Sequence, residues 1–145
     1  REAYAAASGV DLSQATLAEL QDAILYSAFP NFQIWAGYCG NIVYRAIPDG
    51  QNPESCIYDV MVLGRHKAGE ARPAAPAVHW LSDDEPFSSA PELGALGPVL
   101  DQDMRNLPHM TRGLKASLTG VVTLASYQEL RIRAHHHTLD KYLAD

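Results

Sequence analysis

The feature that most restricts the fold is a change of hydrophobic period. In three runs between Phe32 and Leu63 the residues follow a strand period of two, whereas over 17–28 and 132–143 apolar residues recur at three- and four-residue spacing. Alternation puts successive side chains on opposite faces of a strand, and the longer spacing paints one stripe on a helix. The runs FQIWA (32–36), NIVYRAI (41–47) and CIYDVMVL (56–63) are rich in aromatic and β-branched residues. GYCG and PDGQNPES separate them, and both are dense in turn formers. The pattern predicts three antiparallel strands in a meander. In the third run Cys56, Tyr58, Val60 and Val62 share one face, and Ile57, Asp59, Met61 and Leu63 the other. Such a sheet is covered on each side, or lines a cavity on one.

The flanks read differently. Residues 1–10 are small and polar, a tail or the frayed end of an upstream helix. Asp11/Gln14 and Thr16/Glu19 both have capping-box spacing, and Leu17, Leu20, Ile24 and Ala28 then make one stripe. This predicts a helix over 14–28, stopped by Pro30. Residues 64–100 contain Pro73, Pro76, Pro86, Pro91 and Pro98 and read as an irregular arm, a lid or a packing strap. Pro108 interrupts the helical pattern of 101–118, and an interior proline costs about 3 kcal/mol. The expectation is a short turn through 101–105, then a second helix with Asn106 as N-cap and Pro108 in its first turn. Ser126 and Glu129 form a capping-box pair, and Ile132, His136, Leu139 and Leu143 a stripe, so a terminal helix closes the chain. The fold class is α+β, an antiparallel sheet with packed helices.

Composition removes several functions. A chain of 145 residues makes one ordinary domain, burying roughly 70% of its unfolded surface. Eleven Lys and Arg against seventeen Asp and Glu give a net charge of −6. With no basic cluster, this balance argues against a nucleic-acid surface. No apolar run approaches the ~18 residues of a membrane span. Cys39 and Cys56 form no CxxC pair and read as buried thiols in a reducing cytosol, a single disulfide being the alternative. The chain opens REAYAAASG, without Met or a secretion pattern, which reads as part of a longer, cytoplasmic protein.

Candidates for chemistry are few. Asp101 and Asp103 flank Gln102; as hard oxygen donors they suit ferrous iron, manganese or magnesium, and as helix-start acids they would equally favour the helix dipole. His135, His136 and His137 point about 100° apart on a helix and cannot converge on one ion. His136 with Asp140 could share an ion, but a packed or hydrogen-bonded histidine is the commoner outcome. His109 follows Asp103 by six residues across an expected bend, and His66 and His79 fall in or beside the irregular arm. The acidic SDDE at 82–85 reads as a solvated loop. No GxSxG, Walker loop or GxGxxG is present.

Four segments in order carry a resemblance: AFPN at 28–31, RxxPDG at 45–50, DQDxxNLPxxxxGLKAS at 101–117, and YQExRIRxxHxxLDKYL at 127–143. Together, from about residue 11 to the end, they resemble the C-terminal part of the catalytic domain of Rieske-type aromatic-ring-hydroxylating oxygenases, the alpha subunit. The resemblance implies a helix-grip (START/Bet v 1-like) fold and a mononuclear non-haem Fe(II) held by two histidines and one aspartate. It implies a Rieske 2Fe–2S cluster in an N-terminal domain, an aromatic substrate with O2, a ferredoxin or reductase as electron donor, and a homotrimer. The two histidines come from an upstream segment, and the aspartate matches Asp103, eight residues before Thr111, with Asp101 as the alternative. His109 is then a candidate for a contact behind the ligand. Phe32, Ile34, Trp35, Ile42, Tyr44 and Met61 on the strands, with Met110 on the helix, are candidate pocket residues, of which alternation lets about half face one cavity.

No Cys-x-His…Cys-x-x-His pattern and no paired upstream histidines occur in the chain. The expectation is therefore a catalytic-domain portion that is inactive alone. Two other readings stand beside it. One is a separate helix-grip module that binds an apolar small ligand without chemistry. The other is an inert structural fragment with an exposed apolar face.

Overall fold

The computed structural model describes every residue except Cys39, Arg65, Lys67, Ala68 and Asp145. The elements are helices α1 (Glu2–Ser8) and α2 (Leu17–Gln21), strands β1 (Ile24–Ala28), β2 (Phe32–Ala36), β3 (Ile42–Asp49) and β4 (Asn52–Val62), two 3₁₀ turns (Phe87–Ser89 and Pro91–Leu93), and helices α3 (Leu96–Lys115) and α4 (Leu130–Leu143). The class is α+β, as predicted. The chain divides into two compact units, Arg1–Ala74 and Ala75–Asp145. The division falls inside RPAAPA, where Pro73 and Pro76 fix an extended backbone and donate no hydrogen bonds.

In the first unit four strands, one more than expected, form an antiparallel meander in the order β1-β2-β3-β4. The extra strand replaces the second half of the expected helix 14–28. Thr16 and Glu19 do close a capping box: Thr16 Oγ1 accepts the Glu19 amide at 3.2 Å and Glu19 Oε2 accepts the Thr16 amide at 2.8 Å. The helix nevertheless ends at Gln21, with Asp22 already extended. Ile24, Leu25 and Tyr26 also favour strand, and pairing of Ala28 with Phe32 across a three-residue loop decides in its favour. Asp11 accepts the Ser13 amide at 2.9 Å in a local turn instead of starting a helix.

β3 and β4 join at a tight turn where Asp49 pairs with Asn52 and Gly50, the first of the two loop residues, takes φ +57, a left-handed state that glycine adopts without steric cost. β4 therefore begins at Asn52, not 56. Among the described residues of this unit, Leu12, Ala15 and Val43 are the buried hydrophobic ones. The 1–10 segment is helical over α1, closed by Gly9 in the left-handed region. Cys56 is exposed with a free thiol, so its reading as a buried one is corrected; Cys39 lies outside the described residues.

In the second unit Leu100 and Ala90 are buried where α3 meets the 3₁₀ turns. Gly97 permits the approach, because a Cβ there would lie 2.8 Å from Ser88 Cα. The break expected around Pro108 does not occur. α3 runs unbroken through it, with about three turns already formed ahead of it; the proline removes one ladder bond, to the Met104 carbonyl. The Ser126 cap is also corrected. α4 starts from Glu129 without a side-chain cap, and Glu129 Oε2 accepts the Ala125 amide instead. No residue of α4 is buried.

Candidate functional site

Because α3 starts at Leu96, Asp101 and Asp103 lie inside a helix and are not its N-terminal charges. Two residues apart at ~100° per residue, they point about 200° from each other and cannot serve one ion together. Asp101 lies on the face that packs the 3₁₀ turn, where Ser88 N–H donates to Oδ2 at 3.3 Å and Oδ1 at 3.4 Å. Asp103 is exposed on the opposite side. Its carboxylate takes no hydrogen bond or ion pair among the described residues. Val99, Leu107, Met110 and Leu114 share its side at helical spacing and are 53%, 49%, 55% and 52% exposed. The result is an apolar stripe with one unneutralised carboxylate in it. As a donor set this fits one hard oxygen ligand to a ferrous ion, and no more than one.

His109 lies about 120° around the helix from Asp103. Its Nδ1 accepts from Arg112 Nη2 at 2.7 Å, since a guanidinium only donates. The straight helix removes the bend that would have brought His109 behind Asp103. The other histidines are placed separately. His79 Nδ1 pairs with Glu92 Oε1 at 2.7 Å, and the rings of His135 and His136 meet edge to face at 6.0 Å. Among the described residues no group of three or more His, Cys, Asp or Glu side chains gathers where a metal could be held.

The loop around His79 is not merely solvated acid. Glu85 is held below the ordinary carboxylate range by the Ser82 amide and then its hydroxyl, at 2.8 and 3.1 Å. Glu92 is also lowered, by its own amide first and by His79 next.

The strand candidates divide across the pleat. Ile34 pairs with Val43, Gln33 with Tyr44, and Val43 with Met61. Phe32, Ile34 and Met61 therefore share the face of buried Val43, while Trp35, Ile42 and Tyr44 lie on the other. On that second face Tyr44 stacks on Tyr58 with ring centroids 5.7 Å apart, and Trp35 Nε1 is buried without an acceptor among the described residues. Tyr58 is the residue that sequence reasoning left out. Its alternation with Val60 put it on a known face, but only the strand register sets it beside Tyr44. An open cavity of about 780 Å³ in the first unit is lined by Arg1, Glu2, Ala3, Tyr4, Leu17, Leu20 and Gln21. None of the candidate residues borders it.

The family model for the ring hydroxylating alpha subunit (catalytic domain) matches residues 2–145. That match includes α1, which the sequence reading left outside as a tail. No curated protein and no solved structure matches the chain significantly.

Proposed function

The chain belongs to the ring-hydroxylating alpha-subunit catalytic-domain family, and from that premise we propose that Asp103 is the single carboxylate ligand to a mononuclear non-haem ferrous ion in an aromatic-ring-hydroxylating oxygenase. The supporting observation is the state of the two acids on α3: Asp101 is occupied by the Ser88 amide, whereas Asp103, in an exposed apolar stripe, has no partner among the described residues. A bare carboxylate amid apolar side chains loses solvation as that stripe is covered, so a cation there is the natural partner. Two imidazoles complete the set from the upstream segment that the resemblance implies. Ferrous iron so held supplies dioxygen binding and activation, with electrons from a Rieske 2Fe–2S cluster.

Trp35 and Tyr44 are the proposed substrate-contacting residues of the sheet. Their face presents aromatic surface, on which an aromatic ring stacks favourably. Phe32, Ile34 and Met61 belong to the Val43 face and act as core. On this reading electrons arrive from a ferredoxin or reductase, the assembled protein is a trimer, and the 145-residue chain performs no hydroxylation by itself. No helix among the described residues is long and apolar enough to cross a membrane. The test is incorporation of label from ¹⁸O₂ into an aromatic substrate by the assembled oxygenase. Asp103→Ala is expected to abolish it, and wild-type incorporation in that variant contradicts the proposal.

A further inference from the structure

Along β2, β3 as far as Ala46, and β4 from Cys56, two residues carry a charge, Arg45 and Asp59. They pair in register, and Arg45 donates Nε and Nη2 to Asp59 Oδ2 at 2.9 and 2.6 Å. Both belong to the Val43 face. Over the same span the opposite face carries no formal charge, and Gln33, Trp35, Ile42, Tyr44, Tyr58 and Val60 on it are half-buried. β3 lies between β2 and β4, so Tyr44 is flanked by Gln33, its register partner on β2, and by Tyr58 on β4. Tyr58 stands opposite Ala46, whose methyl leaves room for the ring to lean along the strand. It stacks on Tyr44 at 5.7 Å with the planes 24° apart.

On the reading that Trp35 and Tyr44 contact the substrate, we propose that this face selects an uncharged aromatic ring over an aromatic carboxylate, and that Tyr58 is a specificity-determining residue. The Tyr44–Tyr58 pair forms a flat aromatic shelf, on which a planar ring gains stacking and apolar burial. A carboxylate brought to the same shelf sheds water without meeting a cation, because Arg45 is on the other side of the sheet and already holds Asp59. Tyr58 acts through the ring it adds and through holding the plane of Tyr44, and its hydroxyl is not required.

Equilibrium dialysis of 2-methylnaphthalene and 2-naphthoate, which differ in a methyl or carboxylate on one ring system, against the assembled oxygenase tests this. Wild type is expected to bind 2-methylnaphthalene at least tenfold more tightly. Gln33→Arg, which sets a cation beside Tyr44, is expected to shift that ratio at least tenfold towards 2-naphthoate by tightening 2-naphthoate itself; Tyr58→Arg does the same should Gln33→Arg not fold. Tyr58→Leu is expected to weaken 2-methylnaphthalene at least fivefold, and Tyr58→Phe to retain wild-type binding. Equal or tighter binding of 2-naphthoate by wild type, no binding of 2-methylnaphthalene, a ratio that neither arginine variant moves, or wild-type binding in Tyr58→Leu overturns the proposal. Tyr44→Leu separates this from the reading beneath it. If that variant binds both probes as wild type does, the face is no substrate wall and both fall; if it weakens them while wild type favours 2-naphthoate, the wall stands and the selectivity alone falls.

Discussion

Ser88 N–H donates to the Asp101 carboxylate at 3.3 Å, tying a 3₁₀ turn to the middle of helix α3. Thirteen residues separate the two in sequence, and the bond exists because Gly97, one helical turn before Asp101, lets the backbone of the turn approach. Asp101 thereby has a structural task that Asp103 does not. Asp101→Ala is predicted to speed exchange of the Ser88 amide with solvent, while Asp103→Ala leaves that rate unchanged. Hydrogen exchange followed by NMR reads the difference.

The same packing makes Gly97 sensitive to a single methyl group. A Cβ at 2.8 Å from Ser88 Cα and 3.1 Å from Phe87 O meets backbone, which cannot swing aside. Gly97→Ala is predicted to lower stability by about 1–3 kcal/mol through overpacking, despite the better helix propensity of alanine. A lowered thermal midpoint checks this; an unchanged or raised one contradicts the packing.

The lowered carboxylates set an acid limit. Glu85 is held below its ordinary value of 4.5 by the Ser82 amide, so its contribution is complete above that value and is lost as pH falls through the folded pKa. Glu19 behaves likewise towards Thr16. Protection of the Ser82 and Thr16 amides is predicted to decline only below about pH 4.5. Glu85→Gln removes the decline at Ser82 and leaves it at Thr16.

The start of α4 gives a prediction opposite to the one its sequence invites. A Ser126 cap would be worth about 1 kcal/mol. In the structure Ser126 offers its carbonyl to Arg133 Nη2 at 2.6 Å, and that group survives substitution. Ser126→Ala is therefore predicted to change stability by less than about 0.5 kcal/mol in denaturant unfolding.

These cases mark what the sequence could and could not say. Residues 32–63 were legible because strand alternation is a local pattern that the sheet merely pairs. Ile24–Ala28 misled because Leu17, Leu20, Ile24 and Ala28 satisfy helical spacing, and only the Ala28–Phe32 pairing reveals the strand. Pro108 misled because a proline penalty is a local cost, set here against a helix already nucleated at Leu96. What separates Asp101 from Asp103 in hydrogen bonding was not legible in sequence. It depends on Ser88, which reaches Asp101 only through the packing of a turn thirteen residues away.

The most direct measurement is ferrous iron retained by the assembled, iron-loaded oxygenase after anaerobic gel filtration, in wild type, Asp103→Ala and Asp101→Ala. The account predicts that Asp103→Ala loses the iron with its fold intact and that Asp101→Ala keeps it. Iron retained at the wild-type level in Asp103→Ala, or lost only in Asp101→Ala, would contradict the ligand assignment on which the proposed function rests.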